Sequence, residues 1–257
     1  MAQVTVVTIA KDKPVGLLRT ILSVQEQDTD SWNLCLVVPR ISKETYEIAK
    51  EYENHPKIFL LEDFGFGIYE AMNLAIGNLS TKYVWFLNAG DCFANSSSLR
   101  VGIETAENLK ADLVIGRHSI QGGKKFGTRN SYRLRSRVNA WQFAFARKLG
   151  CHQSMVFKST KVSELGGFDV KYRLASDFDL ALRVIEFKNS YWSGTVFASI
   201  EPGGVADINL KKVFVEKHEI RGKCFESRVA TMFSIVWSYL AISKGYLKSN
   251  PLFRNRK

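Results

Sequence analysis

Two short stretches carry acidic side chains where catalysis or metal binding could use them. The first reads Asn88-Ala89-Gly90-Asp91 and directly follows an apolar run at 83–87. A carboxylate at the end of a buried strand, beside a glycine, suits a hard cation and the phosphates that such a cation binds. The same residue types also form ordinary turns, so this stretch alone leaves both interpretations open.

The second acidic stretch reads Ser176-Asp177-Phe178-Asp179 and opens an apolar helical pattern. Ser176 is a residue type that caps helices, and acids in a first turn interact favourably with the helix dipole. That structural role accounts for both acids. A carboxylate held at this place is also suited to accept a proton from an alcohol nucleophile, which makes the stretch a candidate for a general base.

Two further stretches offer weaker signals. Gly65-Phe66-Gly67 precedes a predicted helix, where backbone N–H groups can approach an anion. It lacks the third glycine of a dinucleotide-binding fingerprint, and the first strand is followed by Ala10-Lys11-Asp12. Both facts argue against a nicotinamide-binding domain. His152 is either a hydrogen-bonded structural residue or a contact to phosphate or metal.

The elements that must position these residues alternate between strands and helices. This rhythm predicts an α/β fold with a doubly wound, mostly parallel sheet, whose ligands bind beyond the carboxyl ends of the strands. Strands are predicted at 4–9, 34–38, 57–61, 82–87, 112–115, 154–157 and 191–200. Helices are predicted at 14–25, 42–52, 69–79, 97–109, 138–148 and 176–187, with a loop or hairpin over 116–128.

The composition excludes several classes of protein. With 257 residues, 46% hydrophobic and 24% charged, the chain is not collagen-like, disulfide-rich or wholly disordered. Its 4 cysteines are widely spaced, so we expect free thiols and a cytoplasmic location. We expect no secretory signal, and the apolar stretch 229–242 is shorter than the roughly 20 residues of a membrane span.

The formal net charge of +11 is concentrated in two regions. Residues 113–163 contain 11 Lys or Arg and no acid, and residues 207–257 contain 11 against 4 acids. Such regions predict an anionic partner: a phosphorylated ligand, a nucleic acid or an anionic membrane surface. We predict one domain over 1–206 and a basic helical extension over 207–257. The extension is interpreted equally well as membrane-associating or as a packed helix with a charged end.

The order of the motifs resembles the family 2 glycosyltransferases of the GT-A fold, and within them the branch that builds bacterial surface polysaccharides. The matching motifs are GIYEAMN at 67–73, LNAGD at 87–91, HQS at 152–154, GGFD at 166–169 and SDFDLALR at 176–183. The resemblance implies an inverting, metal-dependent transfer from a nucleoside diphosphate sugar, with UDP as the expected nucleotide. It implies a glycan or lipid-diphosphate-linked acceptor, and a cytoplasmic enzyme lying peripherally on the inner face of the membrane.

The resemblance also implies residue roles. Asp177 is the expected general base, and Asp91 is the expected ligand of Mn²⁺ or Mg²⁺ on the donor diphosphate. Arginines 129, 133 and 135 are expected to close over that diphosphate as a lid. Donor-binding residues are expected at Thr8, Ala10, Asp63, Gly67, Asn73, Asn88, Ala89, Gly90 and His152.

This chain departs from the family pattern in the loop after the fourth strand. Many members read DxDD where this chain keeps Asp91 alone. The departure makes a catalytically silent nucleotide-sugar-binding protein the first alternative. A basic nucleic-acid-binding module is the second, although the sequence contains no helix-turn-helix, RNA-recognition or zinc motif, so we expect no nucleic acid partner.

Overall fold

A computed structural model describes residues 1–122, 136–145 and 151–225 of the protein. The chain divides into two compact units, Met1–Pro202 and Gly203–Lys257. The predicted lid arginines and the chain beyond Phe225 lie outside the described residues. Within the described residues, no helix combines the length and the apolar character that crossing a membrane requires.

The described part of the first unit is built around an eight-stranded sheet with the order β3-β2-β1-β4-β7-β6-β8-β5. Strands β1 to β4 run parallel, β8 runs parallel to β6, and β7 and β5 are antiparallel to their neighbours. The mostly parallel sheet is confirmed. The strands are β1 (Val4–Ile9), β2 (Trp32–Pro39), β3 (Ile58–Asp63), β4 (Tyr83–Phe86), β5 (Cys92–Phe93), β6 (Leu113–Ile120), β7 (Met155–Lys158) and β8 (Ser190–Ile200).

Helices follow most of the strands, as the alternating pattern predicts. In the first unit they are α1 (Pro14–Gln25), α2 (Lys43–Glu51), α3 (Ile68–Ile76), α4 (Ser98–Leu109), α5 (Ala140–Phe145), α6 (Ser159–Glu164) and α7 (Ser176–Ile185). A short 3₁₀ turn, His152–Ser154, precedes β7. The described part of the second unit contains α8 (Val205–Ile208) and α9 (Leu210–Phe225).

Trp85 on β4 links the hydrophobic core to the site. All four residues of β4 are buried, as expected of a parallel strand covered by helices on both faces. The Trp85 ring packs edge-on against Phe93 and Phe197, at centroid distances of 5.0 and 5.2 Å. Its Nε1–H donates to the Gln153 carbonyl at 2.8 Å. The core therefore fixes the backbone of the 3₁₀ turn.

Of the loop or hairpin predicted over 116–128, the structure describes residues 116–122, and a loop is wrong over 116–120. Strand β6 continues to Ile120 and pairs with β8, with an irregular register around Gly116 and Arg117. A side chain at Gly116 would overlap the ring of Phe197. The glycine that looked like a turn signal is therefore a strand residue over which an aromatic ring packs. The short strand β5 and helix α6 were also not predicted.

Candidate active site

The loop after β4, residues 88–91, is fastened to the first turns of α1. The Thr20 hydroxyl donates to the carbonyl of Asp91 at 2.7 Å and accepts from the N–H of Gly90 at 3.0 Å. The same N–H lies 3.0 Å from the carbonyl of Gly16. Gly90 has a φ of 100°, a conformation that glycine adopts more readily than other residues. The loop is thus held in one shape.

The Asp91 side chain is buried and points toward protein donors. It is 5% exposed. Its Oδ1 accepts from the backbone N–H of Glu201 at 2.8 Å, and its Oδ2 accepts from Gln153 Nε2 at 2.9 Å. Burial raises the pKa of Asp91, while these two hydrogen bonds act in the opposite direction. Asp91 therefore ties its loop to the end of β8 and to the 3₁₀ turn.

The role of Asp91 as the ligand of Mn²⁺ or Mg²⁺ stays a prediction, because its carboxylate is enclosed and bound to protein donors. Both of its carboxylate oxygens already accept N–H groups. A side chain at Gly90 would overlap the Glu201 carboxylate. Among the described residues, no group of three or more His, Cys, Asp or Glu side chains is placed to hold a metal ion. We therefore assign no chemistry to a metal here.

Two cations flank the Glu201 carboxylate beside this loop. Lys13 Nζ lies 2.6 Å from Glu201 Oε2, and Arg19 Nη1 lies 3.6 Å from Oε1. The Lys13 partnership lowers the pKa of Glu201. The carboxylate is therefore ionised at neutral pH, and the cluster places more positive than negative charge next to Gly90.

The part-exposed carboxylate of the site belongs to Asp177, in the first turn of α7. Its side chain is 25% exposed, and its Oδ2 lies 2.9 Å from His152 Nδ1. Its Oδ1 accepts from the N–H of Phe178 at 2.8 Å and from the Tyr69 hydroxyl at 3.3 Å. On the other side of the imidazole, His152 Nε2 lies 3.1 Å from Asn88 Nδ2. These contacts join α7, α3 and the loop after β4.

The 3₁₀ turn brings the two predicted acids to one place. His152 contacts Asp177 and its neighbour Gln153 contacts Asp91, so the acids meet at the same turn although they are distant in sequence. They differ in surroundings, because Asp91 is enclosed and Asp177 reaches solvent. The predicted cap at Ser176 is wrong: this residue is the first of the helix, and its hydroxyl is buried without a hydrogen-bond partner.

Asn73, predicted to bind the donor, holds the backbone before α7. Its Nδ2 donates to the carbonyl of Phe168, and its Oδ1 accepts the Phe168 N–H, both at 2.8 Å. Gly166 and Gly167 have φ values of 75° and 71°, which produce the turn that presents Phe168. The Phe168 ring stacks on Tyr69 at 5.3 Å. Asn73 thus positions the turn from within the protein.

Arg183 closes the same turn from α7. Its guanidinium donates to the carbonyls of Leu165 and Gly167 at 2.8 and 2.7 Å and pairs with Asp179 Oδ2 at 2.8 Å. Arg183 of the SDFDLALR motif therefore holds the turn that the GGFD motif forms. Of the two acids in the helical motif, Asp179 is a structural partner and Asp177 is the one at the site.

The remaining predicted donor residues lie at the carboxyl ends of the parallel strands or next to them. Thr8 and Ala10, at the end of β1, are buried, and the Thr8 hydroxyl has no hydrogen-bond partner. Asp63 ends β3, and its pKa is raised by burial despite the nearby Lys11. Gly67 directly precedes α3, and a side chain there would overlap the Glu70 carboxylate. Ala89 lies between Asn88 and Gly90 in the loop after β4, and its contact with a donor stays a prediction like those of the others.

Sequence reasoning missed three residues that contact the two acids: Tyr69, Gln153 and Glu201. Tyr69 and Gln153 stand inside the motifs GIYEAMN and HQS, so their motif membership was the available signal. Glu201 follows β8 outside any motif. Only the sheet order reveals that the end of β8 reaches the loop after β4.

Comparison with known proteins identifies the family. The sequence profile described as glycosyl transferase family 2 matches residues 5–163. The chain belongs to glycosyl transferase family 2. This glycosyltransferase is 23% identical over 201 residues to the PGL/p-HBAD biosynthesis glycosyltransferase of Mycobacterium bovis BCG, an alignment that covers 76% of this chain and 75% of the relative.

Solved structures of glycosyltransferases share its fold. S. aureus TarS 1-349 in complex with UDP-GlcNAc has a TM-score of 0.69 and 12% identity, covering 86% of this chain and 67% of that one. The mannosyltransferase PcManGT from Pyrobaculum calidifontis, in complex with GDP-Man and Mn²⁺, has a TM-score of 0.66 and 16% identity, covering 98% and 82%. The predicted GT-A fold is confirmed.

Proposed function

We propose that this glycosyltransferase moves a sugar from a nucleoside diphosphate, with UDP as the nucleotide, and inverts the anomeric carbon. The observation that carries the proposal is the Asp177 carboxylate, part-exposed at the start of α7 and joined through His152 to the loop after β4. A single displacement needs a base beside the acceptor hydroxyl, across the sugar from the leaving group. The Asp177 carboxylate reaches solvent, so an acceptor hydroxyl can approach it there.

The proposed transfer is a single displacement step. Asp177 takes the proton of the acceptor hydroxyl while the acceptor oxygen bonds to the anomeric carbon. The bond from that carbon to the diphosphate breaks, and its electron pair leaves with the nucleoside diphosphate. General base catalysis of this kind contributes on the order of 10²- to 10⁴-fold to a rate.

The leaving diphosphate needs positive charge close to the loop after β4. We assign no metal step, because Asp91 is enclosed and bound by protein donors. Lys13 and Arg19, which share the Glu201 carboxylate beside Gly90, are the described cations that we propose to face the diphosphate. Charges fixed at that place stabilise the charge that develops on the leaving group.

The donor would lie along the carboxyl ends of β1 to β4. There the small side chain of Ala10 and the carboxyl group of Asp63 would contact the nucleoside, while Thr8, whose side chain is fully buried, would contribute only through its packing within β1. Asn88 and the backbone of Ala89 and Gly90 would lie along the sugar and diphosphate. The neighbours TarS, bound to UDP-GlcNAc, and PcManGT, bound to GDP-Man, support a nucleotide-sugar donor.

The acceptor would be a glycan, free or linked through a diphosphate to a lipid at the inner face of the membrane. Support comes from charge: the extension 207–257 has 11 basic against 4 acidic residues. Basic segments are attracted to anionic lipid headgroups and to diphosphates. Cell-surface polysaccharide synthesis is the process in which such an acceptor would be used.

A thermal-shift panel tests the donor proposal first. UDP, GDP, CDP and dTDP are each added to the full chain, with EDTA and separately with Mn²⁺. A ligand that binds only the native state stabilises it, by about 2.7 kcal/mol at 100 times its Kd. We expect UDP to raise the melting temperature of wild type and of Asp177→Asn alike. No shift with any nucleotide, or a product that retains the donor's anomeric configuration, would overturn the proposal.

A further inference from the structure

We propose that His152 is a positioning residue for the Asp177 base, and that Asn88 holds His152 in its neutral form by donating a hydrogen bond to Nε2. The inference rests on the proposed role of Asp177. It concerns the three side chains that link α7 to the loop after β4. Neither His152 nor Asn88 would touch the proton that is transferred.

The two contacts of the imidazole specify its protonation. The Asp177 carboxylate can only accept hydrogen bonds, so His152 Nδ1, 2.9 Å from Oδ2, carries a proton. Asn88 presents Nδ2, an amide nitrogen that can only donate, 3.1 Å from Nε2. Nε2 therefore carries a lone pair. Both hydrogen bonds form together only in the neutral imidazole with its proton on Nδ1.

The surroundings hold this arrangement in place. The His152 side chain is 11% exposed. Its turn is fixed by the Ser154 hydroxyl, which donates to the carbonyl of Cys151 at 2.9 Å, and by the indole of Trp85 on Gln153. Asp177 receives hydrogen bonds on both oxygens, from His152 on one and from Tyr69 and the Phe178 N–H on the other. The carboxylate plane is thereby oriented before any acceptor arrives.

The charge of His152 matters for the strength of the base. A neutral imidazole orients the carboxylate without placing a full positive charge beside it. An imidazolium would favour the ionised carboxylate, lower its pKa and weaken it as a base. An aspartate at position 88 would change the charge of His152. An acid there would accept a proton from Nε2 and hold His152 as the imidazolium.

The other titratable groups that the structure describes around His152 and Asp177 are compatible with a neutral imidazole. Tyr69 on α3 donates its phenolic proton to Asp177. Burial raises the pKa of the Cys151 thiol to about 12, so it remains neutral in any practical assay. The Asp91 carboxylate, which Gln153 contacts, interacts electrostatically with His152, and Asp91 is unchanged in every variant compared below.

The test compares His152→Ala, His152→Asn and Asn88→Asp with wild type in full-length enzyme. Values of kcat and KM are measured with the donor found by thermal shift, over pH 3.5 to 9, a range that includes the usual pKa of an aspartate, about 3.9. We expect His152→Ala to lower kcat by about 10- to 100-fold, as for removal of a group that orients a catalytic side chain, with donor KM within about twofold. His152→Asn places an amide N–H near the position of Nδ1 and should recover most of that loss.

Asn88→Asp should act on the pH profile. The acid limb of kcat reports ionisation of the base, so an imidazolium beside Asp177 should move this limb to lower pH and lower the plateau. A merely structural role of Asn88 would leave the limb where it is. Each variant is checked for folding by circular dichroism and by its thermal shift with nucleotide.

Several outcomes would overturn the inference while leaving the proposed function in place. His152→Ala with kcat within twofold of wild type removes the positioning role, provided that Asp177→Asn is inactive. A His152→Asn variant no more active than His152→Ala removes the hydrogen bond from Nδ1 as its basis. An unmoved acid limb in Asn88→Asp removes the protonation assignment. If Asp177→Asn itself transfers sugar at the wild-type rate, the proposed function fails first.

Discussion

Replacing Gly90 with alanine should destabilise the protein by more than backbone strain alone. The residue has a φ of 100°, and a side chain there would overlap the Glu201 carboxylate. A non-glycine residue in such a conformation costs about 1–3 kcal/mol. Displacing Glu201 also disrupts its part-exposed ion pair with Lys13, which is worth at most about 1 kcal/mol.

Together these terms give a loss of about 1–4 kcal/mol, or roughly 2–16 °C in Tm for a domain of this size. The assay is thermal and urea unfolding of Gly90→Ala. Gly166→Ala is the matched control, because Gly166 has a φ of 75° with open space where a side chain would go. Gly166→Ala should lose only the stability that the strained backbone conformation costs.

A double variant separates the two causes. In a Glu201→Ala background the overlap is gone, while the Glu201 backbone N–H still binds Asp91. Gly90→Ala should then cost no more than Gly166→Ala does, and the cycle should return a coupling of about 0.5–1 kcal/mol. Equal losses for Gly90→Ala and Gly166→Ala in the wild-type background would refute this description of the loop.

Three further predictions follow from the same contacts. Gly90→Asp, which places a second acid in the loop, should lose as much stability as Gly90→Ala and should show no Mn²⁺-dependent rise in Tm. A rise in Tm that depends on the metal would contradict our description of Asp91. Burial raises the pKa of Asp91 above its usual 3.8. The native state therefore binds the carboxyl proton of Asp91 more tightly than the unfolded state does, and the protein loses stability as the pH rises above 3.8 toward the raised pKa. The free energy of unfolding of Asp91→Asn relative to wild type, measured by urea unfolding, should therefore increase between pH 4 and 7. A difference that does not change with pH would contradict a pKa of Asp91 raised by burial. Arg183→Ala should cost about 2–4 kcal/mol, because a largely buried pair and two carbonyl hydrogen bonds are lost. Arg100→Ala, whose partner Asp28 is exposed, should cost much less, and similar losses for the two variants would contradict the assigned role of Arg183.

The first half of the fold could be predicted because its signals are local. Apolar runs such as Val4–Ile9 and the amphipathic pattern of α1 follow from periodicity. Gly116 misled the prediction, since a glycine in a turn and a glycine under an aromatic ring look alike in sequence. Only the pairing of β6 with β8 distinguishes them.

The site was predicted in part for a related reason. Asp91 and Asp177 both stand at the ends of elements, and their residue type alone does not say which one is enclosed. That difference depends on Glu201 and Gln153, which come from distant parts of the chain. Likewise, the roles of Asn73 and Asp179 as partners of the GGFD turn became apparent only from their hydrogen bonds.

The most direct test of the central claim is sugar transfer by Asp177→Asn, with Asp179→Asn as the matched acid in the same helix. An asparagine at 177 keeps the size of the side chain but cannot take up the acceptor proton. We predict at least about a 10²-fold lower kcat for Asp177→Asn with its nucleotide thermal shift intact. Asp179→Asn should lose stability and keep its kcat per folded molecule. Transfer by Asp177→Asn within tenfold of wild type would contradict the claim that Asp177 is the base.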